Sequence, residues 1–172
     1  MRGGISSWIA AAAVTAVIAA AAPLGAGEPK ANPGWEKLKS LVGTWEGHEG
    51  SQPVSVTYTL VSNGTSLMES LNGEHDMNMI TMYAPDGDAI VATHYCAMGN
   101  QPRMRAAGTG TGDAPPTKVD FQFVDATNVK GGETVMRRLV VTFQDADHFQ
   151  QAWTSRSDGK EQTADFVYVR KK

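Results

Sequence analysis

From Val42 onward, apolar and polar residues alternate in short runs. Val54, Val56, Tyr58 and Leu60 share one face of an extended segment, with Ser55, Thr57 and Thr59 on the other. Phe121 and Phe123 oppose Asp120 and Gln122; Leu139, Val141 and Phe143 oppose Arg138, Val140 and Thr142; Phe166, Tyr168 and Arg170 oppose Asp165, Val167 and Val169. One layer is apolar throughout. The pattern predicts strands at Val42–His48, Val54–Ser62, Ser66–Leu71, Met77–Tyr83, Ala89–Ala97, Arg103–Thr109, Lys118–Val124, Met136–Gln144, His148–Arg156 and Thr163–Arg170. Turn residues separate them, and Asn63-Gly64 and Asp86-Gly87 are the strongest hairpin signals because both residue types tolerate positive φ.

Ahead of the strands, Trp35, Leu38 and Leu41 or Val42 recur at helical spacing, and Asn32-Pro33 can cap a short helix. Two turns are too short to stand alone, so the helix is expected to plug one end of a larger structure. The expected fold is all-β: a closed antiparallel up-and-down barrel of about ten strands with a short N-terminal helix at one end. Closure brings the first and last strands together, so Trp45 and Arg170 are expected to stack.

Residues 1–27 read as a signal peptide: Met1-Arg2, an Ala-rich apolar run from Ile5 to Ala22, then Gly25-Ala26-Gly27. Residues 28–40 form a linker and the short helix, and 41–172 the barrel domain. The expected location is periplasmic or secreted, with no stable membrane span once the leader is cut. The chain carries a formal charge of −3 and no basic stripe, so nucleic acid is not an expected partner. A single cysteine, Cys96, means that no internal disulfide supports the fold.

Candidate chemistry gathers around two adjacent strands. Met77, Met79, Tyr83, His94, Tyr95 and Cys96 supply soft, adaptable side chains suited to an apolar pocket wall or to a packed core. His94 and Cys96 share a face and offer two ligands to a soft metal, or alternatively a hydrogen-bonded core histidine and a buried thiol. Asn100, Gln101 and Arg103 follow in a polar turn, where Arg103 either clamps a carboxylate or stands in solvent. Glu69 shares a face with Leu67 and Leu71, which favours an inward position in need of a partner such as Arg103 or Tyr83; facing outward it is ordinary surface. His75-Asp76 lies in a turn without a positioned nucleophile and is assigned no catalytic role.

Leu41-Val42-Gly43-Thr44-Trp45-Glu46-Gly47, with Tyr168 and Arg170 near the end, resembles the calycin-type barrels. It is most similar to bacterial lipocalin-like domains that open Leu-Val-Gly-Thr-Trp, and more distantly to nitrobindin-like domains. The resemblance implies that Trp45 and Arg170 are structural and that the barrel holds a cavity for a small apolar or amphipathic molecule. In nitrobindin-like relatives a late-strand histidine holds haem; here the late strands offer only His148. The leading expectation is a small-ligand-binding barrel lined by Glu69, Met77, Met79, Tyr83, His94, Tyr95, Asn100, Gln101 and Arg103. The alternatives are a haem or metal barrel using His94, His148 or Cys96, and a filled-core interaction domain of the cell envelope. No motif specifies a cofactor.

Overall fold

The structure is a computed structural model that describes residues 32–73, 78–106 and 116–172. Residues 1–27, expected to be a signal peptide, the first linker residues, His75-Asp76, Met77 and the segment 107–115 lie outside the described residues. A helix α1 (Pro33–Lys39) precedes ten strands: β1 (Gly43–Glu49), β2 (Gln52–Val61), β3 (Ser66–Gly73), β4 (Asn78–Asp86), β5 (Ala89–Tyr95), β6 (Gln101–Ala106), β7 (Lys118–Thr127), β8 (Val135–Phe143), β9 (His148–Ser157) and β10 (Lys160–Arg170). Each strand pairs antiparallel with its sequence neighbours, and β1 pairs with β10, so the wall is a closed up-and-down barrel.

The seam between β1 and β10 explains the glycines of the opening motif. Trp45 sits opposite Arg170 in the ladder, and the guanidinium carbon lies 4.0 Å from the centre of the indole. Arg170 also donates to the carbonyls of Ser40 at 2.9 Å, Val42 at 3.0 Å and Ala146 at 3.2 Å. Gly43 has φ +127°, which a side chain rarely adopts, and a Cβ there would lie 3.1 Å from Arg170 Nη1. At Gly47 the constraint is contact rather than conformation. A Cβ would come within 2.0 Å of the Val167 carbonyl oxygen and 2.8 Å of Tyr168 Cδ1.

Helix α1 closes the barrel end where β1 begins and β10 finishes. Asn32 caps it by accepting from the Trp35 amide at 3.0 Å, and its own amide donates to the Ala89 carbonyl at 3.0 Å. Trp35, Leu38 and Leu41 are buried, whereas Val42 is exposed. Beneath the plug, Phe149 packs edge-on against Trp45 at 4.7 Å between ring centres and stacks on Tyr168 at 4.7 Å. This half of the lumen is filled by side chains.

Ten strands at these positions match the alternation, with shifted ends. Strand β4 continues through Pro85 to Asp86, so the loop to β5 is Gly87-Asp88 rather than Asp86-Gly87. The chain around Asn63-Gly64 forms a 3-10 turn at Ser62–Gly64, with positive φ at Ser62, Asn63 and Gly64, instead of a two-residue hairpin. Leu60 is exposed although it alternates with Val54, Val56 and Tyr58, because it lies next to that turn at the rim. Register shifts occur between Arg103 and Met104 and between Met136 and Arg138, where strict alternation fails.

Replacing Arg170 with Ala is expected to lower the unfolding free energy by about 3 kcal/mol, since three carbonyls lose a charged donor and the indole its cation. Arg170→Lys is expected to recover less than half, because one ammonium cannot reproduce the fork. Denaturant titration reads both; wild-type stability in Arg170→Ala contradicts the seam's role. Gly47→Ala is expected to cost at least as much by forcing the β1–β10 backbones apart, visible as a lower midpoint in the same titration.

Candidate functional site: a cavity at the open end

Opposite the plug, the lumen is not filled. A cavity of about 150 Å³ lies among the far ends of the strands. Its apolar wall is Leu71, Met79, Met136, Trp153, Ala164 and Phe166, and its polar groups are Glu49, Glu69 and His94. Trp153 faces Ala164 across the β9–β10 ladder, so a large residue and a small one share this part of the wall. A void of this size is enough for a single aromatic ring and falls below the roughly 300–1,000 Å³ of pockets for drug-sized ligands.

Glu69 forms part of the cavity floor. It is buried, and its Oε2 accepts from Tyr83 Oη at 2.5 Å, Tyr58 Oη at 3.0 Å and Gln151 Nε2 at 3.0 Å. Gln151 also donates to Tyr58 Oη at 2.9 Å and accepts from Trp153 Nε1 at 3.3 Å. These contacts cross the lumen from β2, β3 and β4 to β9 and separate the filled half from the cavity. Burial raises the Glu69 pKa above the usual carboxylate range, and the three donors pull it part of the way back. Burial and the Glu69 charge raise the pKa values of Tyr58 and Tyr83 well above that of a free phenol, so both remain donors.

His94 stands in the same ladder row. Tyr58 pairs with Glu69, Glu69 with Thr81, and Thr81 with His94, so four inward residues line up across β2 to β5. The ring packs on Trp153 with centres 4.8 Å apart. Nδ1 lies 2.9 Å from Thr81 Oγ1, while the buried Nε2 has no hydrogen-bond partner among the described residues. Burial lowers the His94 pKa to about 4, so the ring is neutral near pH 7.

The structure brings Glu69, Met79 and His94 to the cavity and sets Tyr83 behind Glu69. The other residues expected in the pocket wall stand elsewhere. Tyr95 is 48% exposed, since its neighbour His94 takes the inward position. Arg103 points outward and pairs with Asp125, which faces it on β7; Glu69 is therefore held by phenols and an amide, not by Arg103. Gln101 accepts at the rim from Thr127 and Asn128, both at 2.8 Å. Asn100 is buried in the turn before β6 and donates to the Thr134 carbonyl at 3.0 Å. Cys96 is half-buried, and His148 lies at the plugged end with Nδ1 2.9 Å from Asp145.

Sequence reasoning missed Gln151, Trp153, Thr81 and the catching role of Tyr58. Gln151 lies between Phe149 and Trp153 on an inward face, the same signal of a polar residue in an apolar row that marked Glu69.

The closed ten-stranded wall is consistent with a calycin-like fold. No family model matches the chain, and no curated protein matches it. Among the described residues, no three His, Cys, Asp or Glu side chains gather as ligands for a metal ion, and no helix is long and apolar enough to cross a membrane.

His94 carries a testable pH signature. Its folded pKa lies below the ordinary value, so its contribution to stability is complete above about pH 6.5 and is lost as pH falls towards 4. Between pH 7 and pH 4 the wild type is expected to lose about 3 kcal/mol relative to His94→Phe, measured as the difference between their denaturation curves at the two pH values. Glu69 acts in the opposite sense, because its raised pKa favours the folded state at low pH. It is present in both proteins and cancels in the comparison. Parallel pH profiles for the two proteins contradict a buried neutral ring.

Proposed function

We propose that this chain is a binding module whose open-end cavity takes a small, mostly apolar molecule. The observation that carries this reading is the contrast within one lumen: aromatic side chains fill one half, and the other holds about 150 Å³ walled mainly by apolar groups. Burying roughly 200 Å² of apolar ligand surface contributes about 5 kcal/mol before losses of ligand freedom. Affinities no tighter than about 0.2 mM follow from burial alone, as suits a reversible carrier or sensor. The Gly43-Thr44-Trp45 opening and the Arg170 seam support a lipocalin-like relationship, and the apolar run Ile5 to Ala22 supports export to the periplasm or beyond.

The haem reading fits these residues poorly. His148, the late-strand histidine, lies at the plugged end beside Asp145. His94 does present a free Nε2, but to a space suited to one ring, not to a porphyrin. The filled aromatic half keeps one other reading in view, an envelope interaction domain in which the barrel is only a scaffold.

Organic extraction of the purified protein, followed by mass spectrometry, is expected to release one defined small apolar compound. Added single-ring aromatics are expected to perturb Trp153 fluorescence. Ala164→Phe places a ring inside the cavity and is expected to abolish both signals while the β circular dichroism spectrum stays unchanged. Retained binding in Ala164→Phe contradicts the site.

A further inference from the structure

Three polar side chains among the described residues line the cavity. Glu69 and Glu49 are acidic, His94 is neutral, and among the described residues no Lys or Arg lines the space. His94 Nδ1 is tied to Thr81 Oγ1 at 2.9 Å, which leaves Nε2 as the ring nitrogen turned to the cavity. His94 is 97% buried, lies in the cavity wall beside the Trp153 ring, and its Nε2 has no partner among the described residues.

We propose that the cavity selects a neutral molecule about the size of one ring, carrying a hydroxyl that hydrogen-bonds to His94 Nε2, and that it rejects carboxylates. The inference rests on the binding reading above and specifies its ligand. A hydroxyl, able to donate or accept, completes the hydrogen bonding of a buried ring nitrogen, which otherwise keeps its desolvation cost. A carboxylate meets two acidic side chains and finds no cation among the described residues of the lining. An ammonium must shed its hydration in an apolar chamber whose buried carboxylate already serves three donors through Oε2. Phenolic or alcoholic small molecules remain as the matching class.

The test is calorimetric titration of the full chain at pH 7 with four probes of one ring size: toluene, phenol, benzoate and benzylamine. Phenol is expected to bind about tenfold tighter than toluene, the worth of one hydrogen bond to a buried polar atom, and benzoate is expected to bind more weakly than toluene. In His94→Leu, phenol is expected to fall to the level of toluene while toluene is retained. Should that variant not fold, nitrogen-15 spectra of the wild-type histidine rings give the same answer: phenol shifts the His94 Nε2 resonance and toluene does not. Benzoate or benzylamine binding as tightly as phenol overturns the selectivity and leaves the cavity reading standing, as does an Nε2 resonance that ignores phenol. Failure of all four probes to bind overturns both.

Discussion

The contact between Arg170 and Trp45 is the constraint on which the rest depends. A meander of ten strands becomes a barrel only when its first and last strands pair. At that seam one guanidinium covers the indole and ties three carbonyls, from the helix end, the β1 entry and the β8–β9 turn. The two glycines flanking Trp45 permit it, Gly43 through its positive φ and Gly47 through its contact with the β10 backbone. Without the seam there is no enclosed lumen, and the inward faces of all ten strands meet water.

Within that lumen, polarity is distributed unevenly, and this defines the site. The plugged half uses Trp45, Phe149 and Tyr168 to exclude space. The polar floor formed by Glu69, Tyr58, Tyr83 and Gln151 then marks where packing stops. A buried carboxylate is costly, and three donors on one oxygen offset part of that cost. His94 is treated differently: one nitrogen is bonded and the other faces the chamber. The same row of the sheet thus contains a group whose bonding is internal and a group with one nitrogen unpartnered among the described residues.

Much of the wall was legible in the sequence because inward residues repeat every second position with turn residues between them. The helix cap at Asn32, the closing pair and the inward Glu69 all follow from local pattern. The strand around His94 was harder. Ala92, His94 and Tyr95 leave both faces with apolar character, and only burial distinguishes His94 from the exposed Tyr95. Arg103 misled because alternation says which residues share a face but not which carboxylate lies opposite on the next strand, where Asp125 awaits it. Gln151 reaches Glu69 across 82 residues of chain, a proximity that only closure creates. Register slips at Arg103/Met104 and Met136/Arg138 lie beyond any period-two reading.

Joining β1 to β10 also sets an order of events. The tie between Val42 and Arg170 spans 128 positions, so it belongs to the most distant pairings in the fold. Neighbouring hairpins can assemble as they emerge, but the ring cannot shut until residue 170 is available. Nucleation therefore falls to the local meander and completion to the carboxyl-terminal strand, with lumen chemistry arising only at the final step.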